Sequence, residues 1–275
     1  MKKDLIIVTL ISLMIAGIAM YVFVFAASTG YRTILVEDDT WERKRSYDFS
    51  RLEEVPIILY HNIDGKGVYS LPLDVLKKHF ELFKSSNIDV ITLNELEKRT
   101  VTGVKFNKRS LCITFDDGYY SMYTKLLPLA KEFGYPITLF VYLDNVYHNA
   151  RASITWKNLK EMDDNGIDVQ CHSISHPDLT ALRKTDTVES RYRIYEEIYL
   201  AKRIMEQYMG KTISYYAFPY GRYDLKLIEL CRYAGYKRVF STDYGSNVIT
   251  RTNYCMRRHH VKRTYSLKTI ESIAR

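Results

Sequence analysis

Short apolar runs alternate with amphipathic stretches over most of the chain. The segments 55–60 (VPIILY), 88–91 (IDVI), 111–115 (LCITF), 137–142 (ITLFVY), 167–171 (IDVQC), 214–218 (SYYAF) and 237–240 (KRVF) are brief and rich in β-branched and aromatic residues, which predicts strands. Between them, apolar residues recur at helical spacing near 73–85, 119–133, 155–164, 187–209 and 223–234. Gly134, Gly166, Gly210 and Gly235 follow four of these stretches, as expected where a helix ends in a left-handed residue. Repeated strand and helix units predict an α/β fold with a parallel sheet, open or closed into a barrel. In either form reactive residues collect at the C-terminal ends of the strands, where loops vary without disturbing the core.

The N-terminal pattern is different. Lys2 and Lys3 precede an uncharged stretch over 5–31, and about 20 apolar residues suffice to span a bilayer. Glu37, Asp38 and Asp39 follow it, so the charge asymmetry predicts an anchor over 1–31 with its N-terminus inside and the remainder of the chain outside the cytoplasm. The small residues of VFAAS offer the alternative of a cleaved signal peptide and a secreted product. The charged segment 32–54 reads as a stalk leading to a catalytic domain over 55–275.

Composition narrows the class. A hydrophobic content of 47% in 275 residues is ample for a core and excludes a disordered chain. The net charge of +8 suits an anionic neighbour, but the basic residues are dispersed and no nucleic-acid motif is present, so no nucleic-acid partner is expected. Arg257, Arg258, Lys262 and Arg263 form the densest basic cluster, which reads as a solvated rim. Cys112, Cys171, Cys231 and Cys255 lack CxxC spacing, which argues against a zinc ribbon and leaves free thiols or a Cys231–Cys255 disulfide.

Candidate chemistry sits where the strands end. Asp116 and Asp117 follow LCITF, His172 and His176 follow IDVQC, Tyr220 follows SYYAF and His61 follows VPIILY. Taken singly, the aspartates read as a helix N-cap pair and the histidines as loop residues bonded to backbone. Taken together, two imidazoles and a carboxylate make a ligand set that leaves positions open for water and substrate. Adjacent aspartates on a regular strand face opposite ways, and Gly118 permits a turn that brings both into one cavity.

TFDDG (114–118), HSISHPDL (172–179) and FPYG (218–221) resemble the first three motifs of the polysaccharide deacetylases, the NodB-homology group also called carbohydrate esterase family 4. VPIILYHNI, VITLNEL, ITWKNLKEM and NGIDVQCHS resemble the branch that includes poly-N-acetylglucosamine deacetylases, and the resemblance covers residues 55–275. It implies a distorted (β/α) barrel of about seven strands holding one divalent ion. Carried over by residue, Asp117, His172 and His176 are the metal ligands, Asp116 the general base, His61 the general acid and Tyr220 the backbone oxyanion donor. Zinc is the default ion for such a set, with cobalt, nickel or iron acceptable to the same geometry. The implied activity is hydrolysis of acetamido groups on an N-acetylated polysaccharide, with poly-β-1,6-N-acetylglucosamine the first choice. Peptidoglycan, a lipid-linked amino sugar, or glycan binding by a metal-free pseudoenzyme are the alternatives. Tyr119, Tyr120, Tyr220, Tyr223 and Tyr244 are candidates to line a sugar groove.

The chain departs from the family pattern in places. Ala217 stands where many members carry an Arg that orients the base, and Arg222 is the nearest candidate to replace it. No DxxDW motif or late Leu-x-His is present, and His259 and His260, in the strand-like MRRHHVKR, read as rim residues.

Overall fold

The computed structural model describes residues 54–102, 106, 108–147, 153–248 and 253–274. The predicted anchor over 1–31, and all of the predicted stalk except Glu54, lie outside the described residues. Among the described residues no helix is long and apolar enough to cross a membrane.

Every predicted strand forms. Pro56 divides the first run into β1 (Glu54–Val55) and β2 (Ile57–Tyr60), because proline cannot donate to a ladder. The others are β3 (Asp89–Val90), β4 (Ser110–Asp117), β5 (Ile137–Val141), β6 (Ile167–Cys171), β7 (Tyr215–Ala217) and β8 (Arg238–Phe240). Two short strands, β9 (Asn247–Val248) and β10 (Cys255–Met256), carry no sequence signal of their own, and β11 (His259–His260) falls in MRRHHVKR. The helices are α1 (Leu73–Ser85), α2 (Leu93–Thr102), α3 (Leu127–Phe133), α4 (Asp144–Tyr147), α5 (Trp156–Asp164), α6 (Leu179–Thr185), α7 (Val188–Tyr195), α8 (Ala201–Met209), α9 (Leu225–Tyr233) and α10 (Leu267–Ile273). π-helical segments, Met122–Leu126 and Glu196–Leu200, lead into α3 and link α7 to α8.

Eight strands lie on one path in the order β10-β8-β7-β6-β5-β4-β2-β11, with β3 paired to β4 at the side. All these pairs are parallel, and β1 and β9 form a separate antiparallel pair. The edge strands β10 and β11 are separated by Arg257 and Arg258 alone. Two linking residues span only about 11 Å at ~3.8 Å per Cα step, so the sheet must curl until its edges nearly meet. The result is an eight-stranded parallel barrel with one unpaired seam, where the family resemblance implies a distorted barrel of about seven strands.

Alternation sorts the strand side chains into two layers. Ile57, Cys112, Phe140, Tyr215, Ala217, Phe240 and Met256 pack into one apolar cluster inside the curl. Ile58, Tyr60, Ile113, Phe115, Leu139, Val169, Tyr216 and Val239 face outward and bury the inner sides of α1, α3, α5, α8 and α9. All four cysteines are free thiols, the first of the two alternatives the sequence leaves, and the Cys231–Cys255 disulfide is not formed; burial pushes the thiols of Cys112 and Cys171 upward, Cys171 to about 11.

Candidate active site

The last two residues of β4 break the alternation. Asp116 shares the interior parity of Cys112 and Thr114, whereas Asp117 has the outward parity of Ile113 and Phe115. A φ of +81° at Asp117 turns its carboxylate back toward the interior, and Gly118 continues the turn at +76°. A Cβ at position 118 would also press to 2.8 Å from Val141 Cγ1. Asn145 of α4 fixes the turn, its Nδ2 donating to the carbonyls of Asp117 and Gly118 at 3.0 Å each. Both aspartates thus enter one cavity, with Asp117 itself, beside the predicted Gly118, absorbing the strain.

His172 stands one residue beyond β6 and is buried. Its Nδ1 donates to the Ala217 carbonyl at 2.8 Å, which leaves the Nε2 lone pair for the cavity. Nε2 lies 3.6 Å from Asp117 Oδ1 and 3.8 Å from Asp116 Oδ2, and His176 Nε2 lies 3.5 Å from Asp117 Oδ1. Among the described residues Asp117, His172 and His176 are the set whose donor atoms converge, all within 4.8 Å of one another. Bonds of about 2.0–2.2 Å to one ion place neighbouring ligand atoms roughly 3.0–3.5 Å apart, close to these separations. Asp117 Oδ1 is buried with no hydrogen-bond partner. A desolvated carboxylate oxygen facing two imidazole nitrogens without a donor is suited to a divalent cation.

The charge states of Asp117 and His176 suit the same task. Burial raises the Asp117 carboxyl, but the adjacent His172 imidazole, with His61 and His176 nearby, outweighs it and holds it well below the usual range. Burial lowers His176 to about 4, which keeps its imidazole neutral and available as a ligand. His172 is drawn the other way: burial lowers it, and Asp116 and Asp117 more than reverse this.

Asp116 has a partner that the sequence pattern conceals. Arg258, fully buried at 0% exposure, donates from Nη1 to Asp116 Oδ1 at 2.8 Å and from Nη2 to Oδ2 at 2.7 Å. Its Nε donates to the Ser241 carbonyl at 2.9 Å, and its guanidinium lies 5.5 Å from the Phe140 ring centroid. Burial alone would raise the Asp116 pKa, and the Arg258 charge together with His172 holds it below the usual carboxylate range. Arg258 is therefore a buried counter-ion where the sequence predicts a solvated rim. It enters through the seam, because only two residues connect the edge strands and one must point inward. Ala217 has interior parity on β7 and brings no guanidinium to the cavity. Arg222, the predicted substitute, instead pairs with Asp178 and lies 5.8 Å from the Tyr220 ring centroid.

His61 extends the interior parity of β2 and is half-buried, with Nδ1 enclosed and unpartnered. Burial lowers its pKa, opposed by the charges of Asp116 and Asp117. Against its ring stacks His260, at 4.6 Å between centroids and 24°, and Tyr69 stacks on His260 at 3.7 Å. His260 is thus part of the site wall and not a rim residue; burial lowers it to about 3. His259, of opposite parity, packs outside the barrel against Tyr244 and Ser246.

Tyr220 takes a φ of +57° in the turn Pro219–Gly221 and is 57% exposed, its ring edge-on to His176 at 4.7 Å. Gly221 is constrained from behind, since a Cβ there would overlap the hydroxyl and backbone nitrogen of Thr242. Gly221→Ala is expected to cost about 3 kcal/mol in urea unfolding, because backbone cannot yield as a flexible side chain does. Of the tyrosines singled out in the sequence, Tyr119 and Tyr220 border the site, Tyr119 through Asp117. Tyr120 packs on Tyr123, Tyr223 donates to Asp243 and Tyr244 lies with His259. Tyr142, 5.3 Å from His176, takes a place the sequence reading did not assign.

Residues 103–239 match the profile of the family described as Polysaccharide deacetylase. The chain carries a polysaccharide deacetylase domain. Members of this family are hydrolases acting on amide bonds. The Bacillus subtilis protein YxkH, which bears the same family's name, is 23% identical over 76% of this chain and 71% of its own. Poly-beta-1,6-N-acetyl-D-glucosamine N-deacetylase of Staphylococcus aureus is 26% identical over 64% of this chain, which spans 62% of that relative's length. Among solved structures, the Streptococcus pyogenes deacetylase PplD in complex with acetate has the same fold, with a TM-score of 0.73 and 19% identity over 82% of this chain and 99% of that one. IcaB from Ammonifex degensii aligns at a TM-score of 0.69 and 19% identity over 81% and 97%. The deacetylase domain here keeps the two aspartates and two histidines of its first two motifs in one cavity, with Arg258 paired to Asp116.

Proposed function

We propose that this domain is a metal-dependent N-deacetylase that hydrolyses acetamido groups of N-acetylglucosamine residues in an extracytoplasmic polysaccharide. The observation that carries the reading is the convergence of Asp117, His172 and His176 beside a base, Asp116, held ionised by Arg258. Asp117 Oδ1, His172 Nε2 and His176 Nε2 would hold a divalent ion, zinc by default, with cobalt, nickel or iron as substitutes. Such an ion would polarise the acetamide carbonyl and lower the pKa of the attacking water toward ~7.

The remaining steps belong to the chain's own groups. Asp116 accepts the proton from the attacking water, and the two hydrogen bonds from Arg258 keep its carboxylate aimed into the cavity. The Tyr220 N–H, presented by the left-handed turn, donates to the developing oxyanion, a contribution of about 3 kcal/mol. His61 gives a proton to the departing amine, without which the C–N bond does not break. Burial holds His61 low, so the acid form relies on the nearby Asp116 and Asp117 charges.

The poly-β-1,6-N-acetylglucosamine reading is supported by the name of the staphylococcal relatives, and the N-terminal apolar segment favours a membrane-anchored enzyme with its domain outside the cytoplasm. Loss of a guanidinium at Ala217 is what would favour a metal-free pseudoenzyme, and Arg258 removes that ground. Acetate release from β-1,6- and β-1,4-linked N-acetylglucosamine oligomers separates the substrate choices. Faster release from the β-1,6 series is expected, and preference for the β-1,4 series would redirect the assignment to peptidoglycan-type chains.

A further inference from the structure

The loop from His172 to His176 is held by a carboxylate that the chemistry above leaves unused. Glu197 lies on the π-helical segment Glu196–Leu200 and is fully buried at 0% exposure. Its Oε2 accepts from the N–H groups of Ile174 and Ser175 at 2.8 and 2.9 Å, and its Oε1 accepts from the Ser175 hydroxyl at 2.7 Å. Arg193 completes the arrangement, with Nη2 at 3.0 Å from Glu197 Oε1 and 2.8 Å from Ser175 Oγ. Two carbonyls of the π segment also take tyrosine hydroxyls: Glu197 O accepts from Tyr216 at 3.4 Å and Ile198 O from Tyr236 at 2.9 Å.

This loop is costly to hold. Ser173 and His176 both have positive φ, at +86° and +57°, conformations that side chains other than glycine adopt only when their surroundings enforce them. From the other side, Leu143 and Asp144 donate to the carbonyls of Ser173 and Ile174 at 3.1 and 2.8 Å. Glu197 meets the N–H groups of Ile174 and Ser175, and as a charged acceptor it makes stronger bonds than a neutral one. π segments recur where a helix serves a functional site.

We propose that Glu197 is a positioning residue: with Arg193 it holds the backbone over 173–176 so that His172 and His176 converge on Asp117, and it thereby sets the affinity of the site for a divalent ion. This rests on the three-ligand reading above. Glutamine at 197 would keep the size but accept at one end only, leaving either the two N–H groups or the Ser175 and Arg193 pair facing an amide donor.

Glu197→Gln in the full chain tests it, with Ser175→Ala as the second variant. The readouts are zinc affinity by competition with a chromophoric chelator, the cobalt absorption spectrum, and amide exchange at Ile174 and Ser175 in the metal-free protein. The expected result is a loss of zinc affinity of about 10–100-fold with an altered cobalt spectrum, the scale typical of groups that orient metal ligands. Faster exchange at the two amides accompanies it, and Ser175→Ala shows a smaller loss of the same sign. Wild-type affinity and spectrum in both variants, with only a lower melting temperature, would overturn the proposal and leave Glu197 a stabiliser of the fold. A wild-type chain whose zinc binding is absent, or unaffected by His176→Ala, would instead overturn the three-ligand reading and this proposal with it.

Discussion

Asp116→Asn is expected to lower the rate of acetate release about 1,000-fold, the scale of a lost general base, while the protein still binds one divalent ion. His172→Ala is expected to lose both. The contrast follows from geometry: Asp116 faces His172 at 3.8 Å but spends both oxygens on Arg258, whereas Asp117 keeps a buried oxygen free for the two imidazoles. Asparagine would leave the Arg258 charge uncompensated, so a stability loss of about 3–5 kcal/mol accompanies the substitution. Rates should therefore be read well below the melting transition. An Asp116→Asn protein that retained turnover would move the base elsewhere; one that lost the ion would place Asp116 among the ligands.

Arg258→Met is expected to carry the next largest effect. It removes the only guanidinium bonded to Asp116 among the described residues and leaves a buried carboxylate without its counter-ion, at a cost of about 3–5 kcal/mol. Burial then acts on Asp116 with less opposition, so its pKa rises. In the wild type the base is ionised throughout the neutral range. In the variant that pKa rises, so the limb of the activity profile set by the base should lie at higher pH than in the wild type. Recovery at alkaline pH, measured on folded protein, separates loss of base ionisation from loss of structure. An unchanged profile would show that Arg258 stabilises the barrel without tuning the base.

The features that the sequence makes legible are the local ones. Each apolar run of four to six residues became a strand, and the site residues at strand ends met because parallel strands deliver their C-termini to one rim. The Asp117, His172 and His176 set needed only that topology. Arg258 and His260 were not legible, for a definite reason. Their direction depends on β10 and β11, two-residue strands at opposite edges of the sheet, joined across a seam that exists only once the sheet has curled. Counted as charges, RRHH is a basic surface; assigned to those strands, Arg258 and His260 point inward and His259 outward. Asn145 and Glu197 are not legible for a related reason, since each acts on the backbone of a distant loop and leaves no spacing pattern.

The most direct test of the central claim is acetate release from N-acetylglucosamine oligomers by the full chain, measured after chelation and again with zinc, cobalt or nickel restored. Activity lost on chelation and regained with metal, and absent in His172→Ala under both conditions, is the predicted result. Acetate release that survives chelation, or that persists in His172→Ala, would contradict it.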